Sequence, residues 1–318
     1  MSGSKERMKS AYSPRGFCEL FIGKSAVIAK RRECRTPFSW QPMAQDWQCR
    51  HNAEGAQSPH RRSCIPPAWT DVVLNKDEKA ALQATGLDSK GRKQYKYSAE
   101  HTGNASAEKF QRLKDFHAVA GGVKKQAFSD MNNKRLTRQQ RDSAAVVALI
   151  AETGFRMGSN ADTGAEKKAY GASNLKTGHV VVSGDRLRFN FTGKKGVSQT
   201  HSVVNKQLAK YISERKAQLI AERSRGALFD VSPASVRNYF HGIAGGDFNV
   251  KDYRTWHGTN EALREVKSMQ KPRNATEYKK ARKAVGERVA KKLGNTATVA
   301  LNSYINPTVF SSWGFGNE

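Results

Sequence analysis

Residues 179–204 read HVVVSGDRLRFNFTGKKGVSQTHSVV. Two spacers that contain glycine, Gly184-Asp185 and Gly193-Lys194-Lys195-Gly196, divide this stretch into strands over 179–183, 187–192 and 199–204. Short strands joined by such tight turns make a β-meander. On its N-terminal side, 107–120 and 137–153 read as helices, the second with Val146, Leu149, Ile150 and Thr153 on one face at helical spacing. On its C-terminal side come 205–223, a helix start at Ser232-Pro233 with serine as N-cap and proline in the first turn, then 250–267 and 276–293. The meander is thus a three-stranded antiparallel sheet inside a mainly helical body, and the expected fold class is α+β.

Residues 65–97 form a second, smaller β-rich region. Ile65-Pro66-Pro67 stiffens the approach to a β-branched strand ending at Leu74. A strand over 80–85 and a turn at Asp88-Ser89-Lys90-Gly91 lead into 92–97, where a period of two places Lys93, Tyr95 and Tyr97 on one face. That face is either a platform for phosphates and bases or an ordinary solvated sheet surface. The small polar residues 101–107 read as a linker. Three divisions are expected: a basic leader over 1–62, with at most a strand or hairpin around 21–29; a small β-rich domain over 63–103; and a catalytic domain over 104–318.

Lys and Arg number 55 against 28 Asp and Glu in 318 residues, a net charge of +27. Self-repulsion on that scale points to a polyanionic partner, nucleic acid or an anionic membrane surface. Residues 1–64 hold 12 of these cations against 5 acids, so most of the excess lies in the part with regular structure. The longest apolar runs, such as 144–151, fall far short of the ~20 residues of a spanning helix, and 17–29 is interrupted by Glu19 and Lys24, unlike a signal peptide. Cys18, Cys34, Cys49 and Cys64 all precede residue 65, which suits a reducing compartment and excludes thiol catalysis from the bulk of the chain. Cys49, His51, His60 and Cys64 match no common zinc spacing, and no metal or cofactor is expected. There is no Walker A loop, His-Glu-x-x-His, Gly-x-Ser-x-Gly or carboxylate cluster spaced for magnesium.

What remains is a set of polar residues at element boundaries: Arg156 after a helix, Lys194 in the meander turn, Arg254, Asn295 and Tyr304. Singly each has a bland explanation, as a dipole partner, a turn lysine, a surface ion pair, a helix-capping amide or a half-buried phenol. Together, with Ile65-Pro66-Pro67-Ala68-Trp69-Thr70-Asp71-Val72, Asp88-Ser89-Lys90-Gly91-Arg92-Lys93-Gln94-Tyr95, Phe155-Arg156-Met157-Gly158, Phe191-Thr192-Gly193-Lys194, Lys251-Asp252-Tyr253-Arg254-Thr255, Leu293-Gly294-Asn295-Thr296 and Tyr304-Ile305-Asn306-Pro307, the chain resembles the type IB DNA topoisomerases of poxviruses and bacteria. The resemblance runs from residue 65 to about 307 and shows no match over 1–62.

It implies the catalytic fold shared by tyrosine recombinases and topoisomerases IB, and relaxation of supercoiled duplex DNA without ATP or metal. Tyr304 would be the nucleophile, forming a 3′-phosphotyrosyl bond. Arg156 and Arg254 would hold the charged non-bridging oxygens, which suits guanidinium forks. Lys194, or its neighbour Lys195, would protonate the leaving 5′-hydroxyl. Asn295 stands where the poxvirus enzymes have histidine; asparagine belongs to the bacterial branch, and its amide donates but does not titrate. Arg92, Lys93, Gln94, Tyr95 and Tyr97 would touch DNA, the two domains closing as a monomeric clamp about a hinge near Gly103, and the protein would be cytoplasmic and DNA-associated, in a bacterial nucleoid or a viral or phage setting. Two alternatives stand beside this reading. A tyrosine recombinase would usually carry His-x-x-Arg where this chain has Lys251-x-x-Arg254; an architectural DNA-binding protein would use the charge alone.

Overall fold

The structure, a computed structural model, describes the backbone of two strands near the N-terminus and residues 65–77, 79–160, 167–224 and 226–315. Residues 1–57 and 58–318 form separate compact units. In the first, β1 (Cys18–Ile22) pairs antiparallel with β2 (Ser25–Ala29), the hairpin expected near 21–29. The cysteine and histidine set from Cys49 to Cys64 lies outside the described residues.

The second unit begins with an antiparallel sheet of β3 (Thr70–Leu74), β4 (Leu82–Leu87) and β5 (Lys93–Tyr97), in that order. Asp88 closes the β4–β5 turn by accepting from the backbone N–H groups of Lys90 and Arg92, each at 3.0 Å. Gly91 takes the left-handed conformation (φ +70°) that such a turn demands. From the sheet the chain passes directly into α1 (Ala99–Asn132), so the expected linker at 101–107 is helical and Gly103 sits inside it. The Ser98 side chain caps the helix by accepting from the N–H of His101, and Phe110, Leu113, Phe116, Ala120, Val123, Ala127 and Met131 recur at three- and four-residue spacing as its buried stripe. That burial offsets the ~1 kcal/mol a helical glycine costs.

At the centre lies α2 (Arg138–Thr153), begun by a Thr137–Gln140 capping box and ended by Gly154 at φ +68°. Residues 144–151 are buried on every side, with α1, α4, α5, α3 and the sheet around them. A helix apolar all round needs such an enclosed position, which explains why this is the chain's longest apolar run. The meander is β6 (Val180–Ser183), β7 (Arg186–Thr192) and β8 (Ser198–Val204), paired antiparallel in sequence order. In β7, Leu187, Phe189 and Phe191 face the core while Arg186, Arg188 and Asn190 face out.

Next come α3 (Lys206–Ala221), α4 (Pro233–Ala244), α5 (Asp252–Ser268), α6 (Ala275–Leu293) and α7 (Ala297–Ser303), with a 3₁₀ turn over Pro307–Trp313. The sequence reading did not foresee α7 or the 3₁₀ turn. Two apolar cores result, one around α2 and the meander, the other formed by α6, α7, the 3₁₀ turn and the distal part of α5. Helix α5 joins them, with Tyr253 in the first core and Ala262 and Val266 in the second. Among the described residues, no helix is long and apolar enough to cross a membrane.

Candidate active site

Arg254 occupies the first turn of α5, where the two cores meet. Asp252, itself buried, fixes that turn by accepting from the N–H of Asn249 at 2.8 Å and pairing with Arg112 of α1 at 3.3 Å. The Tyr253 hydroxyl donates to the Ala120 carbonyl at 2.7 Å and ties α5 to α1. Arg254 is only 3 % exposed. Its Nη1 donates to the Gly154 carbonyl at 2.7 Å, and its Nη2 donates to the Leu293 carbonyl and, at 3.1 Å, to Asn295 Oδ1. One guanidinium thus joins the C-terminal ends of α2 and α6. Burial lowers its pKa to about 10, and neighbouring Arg156 acts in the same direction while Tyr304 opposes both. It stays charged at neutral pH.

Arg156 follows the Gly154 cap and buried Phe155, whose ring meets Phe189, Phe191 and His201 edge-on. The Arg156 carbonyl accepts from the N–H of Ala172 at 2.8 Å, and its Nη2 donates to Asn295 Oδ1 at 2.5 Å. Asn295 therefore accepts from both arginines through one oxygen. Thr296, not Asn295, caps α7, its side chain accepting from the N–H of Val299. The asparagine is thus no helix cap. With Oδ1 spent on the two guanidiniums, Nδ2 is buried and, among the described residues, without a partner, as is Arg254 Nε. Those are two unused donors beside two cations.

Tyr304, half-buried, ends α7, and its ring centroid lies 5.0 Å from the Arg254 guanidinium carbon. Its backbone is held by α5: its carbonyl accepts from Thr259 Oγ1 at 3.2 Å, and Gly258 packs so closely that a Cβ there would lie 2.5 Å from the same oxygen. Lys109 of α1 donates to the preceding carbonyl, that of Ser303, at 3.2 Å. Helix α5 thus carries Arg254 and, one turn on, the seat of Tyr304.

Arg156, Lys194, Arg254 and Tyr304 line one cleft of about 290 Å³. Lys194 reaches it from the exposed β7–β8 turn, where Lys195 adopts φ +64° and is not among the lining residues. Arg237 of α4 and Lys251 also line it. Sequence reasoning noticed Lys251 only as part of a motif and missed Arg237, which tertiary structure alone brings here. Among the described residues, the lining contains no carboxylate. Five cations around one cleft call for an anion with several oxygens.

The expected contacts on the small sheet divide between its faces. Lys93, Tyr95 and Tyr97 are exposed together, with the Lys93 ammonium 5.8 Å from the Tyr95 ring and Tyr97 stacked on His101. Arg92 instead pairs with Asp88 at 2.7 Å, which holds that carboxyl down to about 2, and Gln94 Nε2 donates to the same carboxylate at 3.0 Å. Both brace the turn. Among the described residues, no group of three or more His, Cys, Asp or Glu is placed to hold a metal ion.

Residues 98–308 match the family described as eukaryotic DNA topoisomerase I, catalytic core, and residues 61–88 match bacterial DNA topoisomerase IB, N-terminal domain. The chain belongs to the type IB DNA topoisomerases. Among its curated relatives, DNA topoisomerase 1B of Acanthamoeba polyphaga mimivirus is 31 % identical over 254 residues, which cover 76 % of this topoisomerase and 75 % of the relative. DNA topoisomerase I of Monkeypox virus is 26 % identical, covering 77 % and 78 %. DNA topoisomerase 1B of Vaccinia virus (strain Copenhagen) is 29 % identical over 60 % of each chain. The family expected from the motifs is thus established, and the core match spans Arg156, Lys194, Arg254, Asn295 and Tyr304.

Proposed function

We propose that this topoisomerase relaxes supercoiled duplex DNA at the cleft of Tyr304, with the chemistry divided among the residues that converge there. The Tyr304 phenol attacks phosphorus, its proton passing to the aqueous cleft, and the bond to the 5′ oxygen breaks as a 3′-phosphotyrosyl bond forms. The energy of the broken linkage stays in that ester, so religation needs no ATP. Arg156 and Arg254 receive the charge that grows on the non-bridging oxygens, and the free Asn295 amide and Arg254 Nε add donors. Lys194 delivers a proton to the departing 5′-hydroxyl from its short turn and recovers it on religation.

The exposed Lys93–Tyr95–Tyr97 face presses on phosphates and bases, and the region over 63–103 works with 104–318 as a monomeric clamp whose binding weakens steeply with salt. In this reading the protein works bound to DNA, in the cytoplasm of a bacterium or in a viral setting. The observation that carries the proposal is the meeting of two guanidiniums on one asparagine oxygen beside the Tyr304 ring. The test is relaxation of supercoiled plasmid in EDTA without ATP, with the intermediate trapped by denaturant. A 3′-linked covalent adduct with relaxation supports the proposal. Binding without an adduct would favour an architectural role, and strand exchange between paired sites a recombinase.

A further inference from the structure

Gln199 lies on β8 opposite Phe191 and is 5 % exposed. Its side chain is wedged between two glycines. A Cβ on Gly193 would lie 2.8 Å from its Cγ and 3.3 Å from its Cδ and Nε2, and a Cβ on Gly294 would overlap its carboxamide outright. Gly193 immediately precedes Lys194, and Gly294 immediately precedes Asn295. At Gly294, φ +59° is itself reason for glycine. Gly193, at φ −90°, has a backbone open to any residue, and the three atoms nearest its missing side chain all belong to Gln199. Among the described residues the Gln199 amide makes only a long bond, 3.4 Å from Nε2 to the Ser198 carbonyl, so packing sets its place.

We infer that Gln199 is a positioning residue: it sets the separation between the Lys194 turn and the Arg156–Arg254–Asn295 cluster, so that proton donor and phosphate clamp close on the same phosphodiester. The inference rests on Lys194 as the proton donor. The turn of Lys194 is exposed and short, whereas the cluster is anchored at the ends of α2 and α6. A spacer against the cluster is what gives such a turn a defined reach. Removing the spacer lets the ammonium drift relative to the 5′ oxygen, and a displacement of about 1 Å costs on the order of 10²-fold in rate.

The experiment is single-turnover cleavage of a duplex carrying either the normal 5′ oxygen or a 5′ sulfur at the scissile phosphate. Sulfur departs without protonation, so it reports the proton donor separately. Lys194→Ala serves as the reference. Gln199→Ala is expected to slow cleavage of the oxygen substrate about 10- to 100-fold and to recover to within about 3-fold of wild type on sulfur. Gln199→Met, which keeps the wedge without the amide, stays within about 3-fold on both substrates. Gly193→Ala behaves like Gln199→Ala, and Gly193→Ala with Gln199→Ala is no slower than either, because the new methyl fills the vacated space.

If Lys194→Ala is rescued by sulfur and Gln199→Ala is not, or if Gln199→Ala matches wild type, the inference fails while the function stands. If Lys194→Ala is itself not rescued, the proton-donor assignment fails and the inference with it. Should Gln199→Ala not fold, Gly193→Ala in the wild-type background decides the matter by the same oxygen-to-sulfur comparison.

Discussion

The two halves of the site are built in opposite ways. Arg254 and Asn295 are locked into the interior by bonds to the backbone ends of α2 and α6, whereas Lys194 is exposed on the five-residue turn, 193–197, between two strands. Groups that stabilise charge growing on phosphorus gain most when fixed and dry, since they then need no reorganisation. A proton donor must instead meet an oxygen that leaves, and later returns, so reach matters more than burial. The difference also divides the consequences of mutation: damage to the cluster unsettles the fold as well as the chemistry, while damage to the turn touches chemistry alone.

The largest expected effect removes the element both halves serve. Tyr304→Phe keeps the ring against Arg254 and removes the attacking oxygen; cleavage in a trapping assay falls by at least about 10⁴-fold while DNA binding persists. Next, Arg254→Lys loses about 10²–10³-fold in cleavage, because a single ammonium does not span the Gly154 carbonyl, the Leu293 carbonyl and Asn295 together. A 5′ sulfur leaves that loss unchanged, and calorimetry shows a lower Tm. Lys194→Ala loses about 10²-fold or more, is rescued by 5′ sulfur and leaves Tm within about 2 °C. A sulfur rescue of Arg254→Lys, or a large Tm change in Lys194→Ala, would break the contrast.

Acid sharpens the same contrast. His257 packs under the Gly154 cap and bonds the Ala151 carbonyl at 2.9 Å, and burial lowers its pKa to about 4 from the ordinary 6.5. Between those values the unfolded chain takes up protons that the folded chain refuses, so stability falls as pH drops from 6.5 toward 4. His257→Gln makes that decline shallower in thermal melts, the remainder belonging to His201, which burial likewise holds at about 4, and a variant as pH-sensitive as wild type would show that His257 is not one of its sources. The smallest effect lies on the small sheet. Tyr95→Ala weakens binding about 5- to 100-fold by loss of stacking, and leaves the single-turnover rate at saturation near wild type.

The meander was legible because glycines mark both of its turns, α2 because Val146, Leu149, Ile150 and Thr153 share a face at helical spacing, and α4 because Ser232-Pro233 announces its start. The first turns of α1 were not: residues 99–107 are polar and exposed, the apolar stripe begins only at Phe110, and Gly103 reads as a break. Helix α7, at seven residues, is too short for a periodic signal. In the site, motifs single out Arg156, Lys194, Arg254, Asn295 and Tyr304. The pairing of Arg92 and Gln94 with Asp88, the arrival of Arg237 in the cleft and the wedge at Gln199 are coincidences of tertiary structure, and no local pattern encodes them.

The central claim is that Tyr304 makes the covalent bond within the arginine–asparagine cluster. The direct measurement traps wild-type protein on a cleavable duplex, digests it with trypsin and nuclease, and locates the nucleotide adduct by mass spectrometry. The account predicts a 3′-phosphonucleotide on the peptide that carries Tyr304. An adduct on any other residue, or a 5′ linkage, would contradict it.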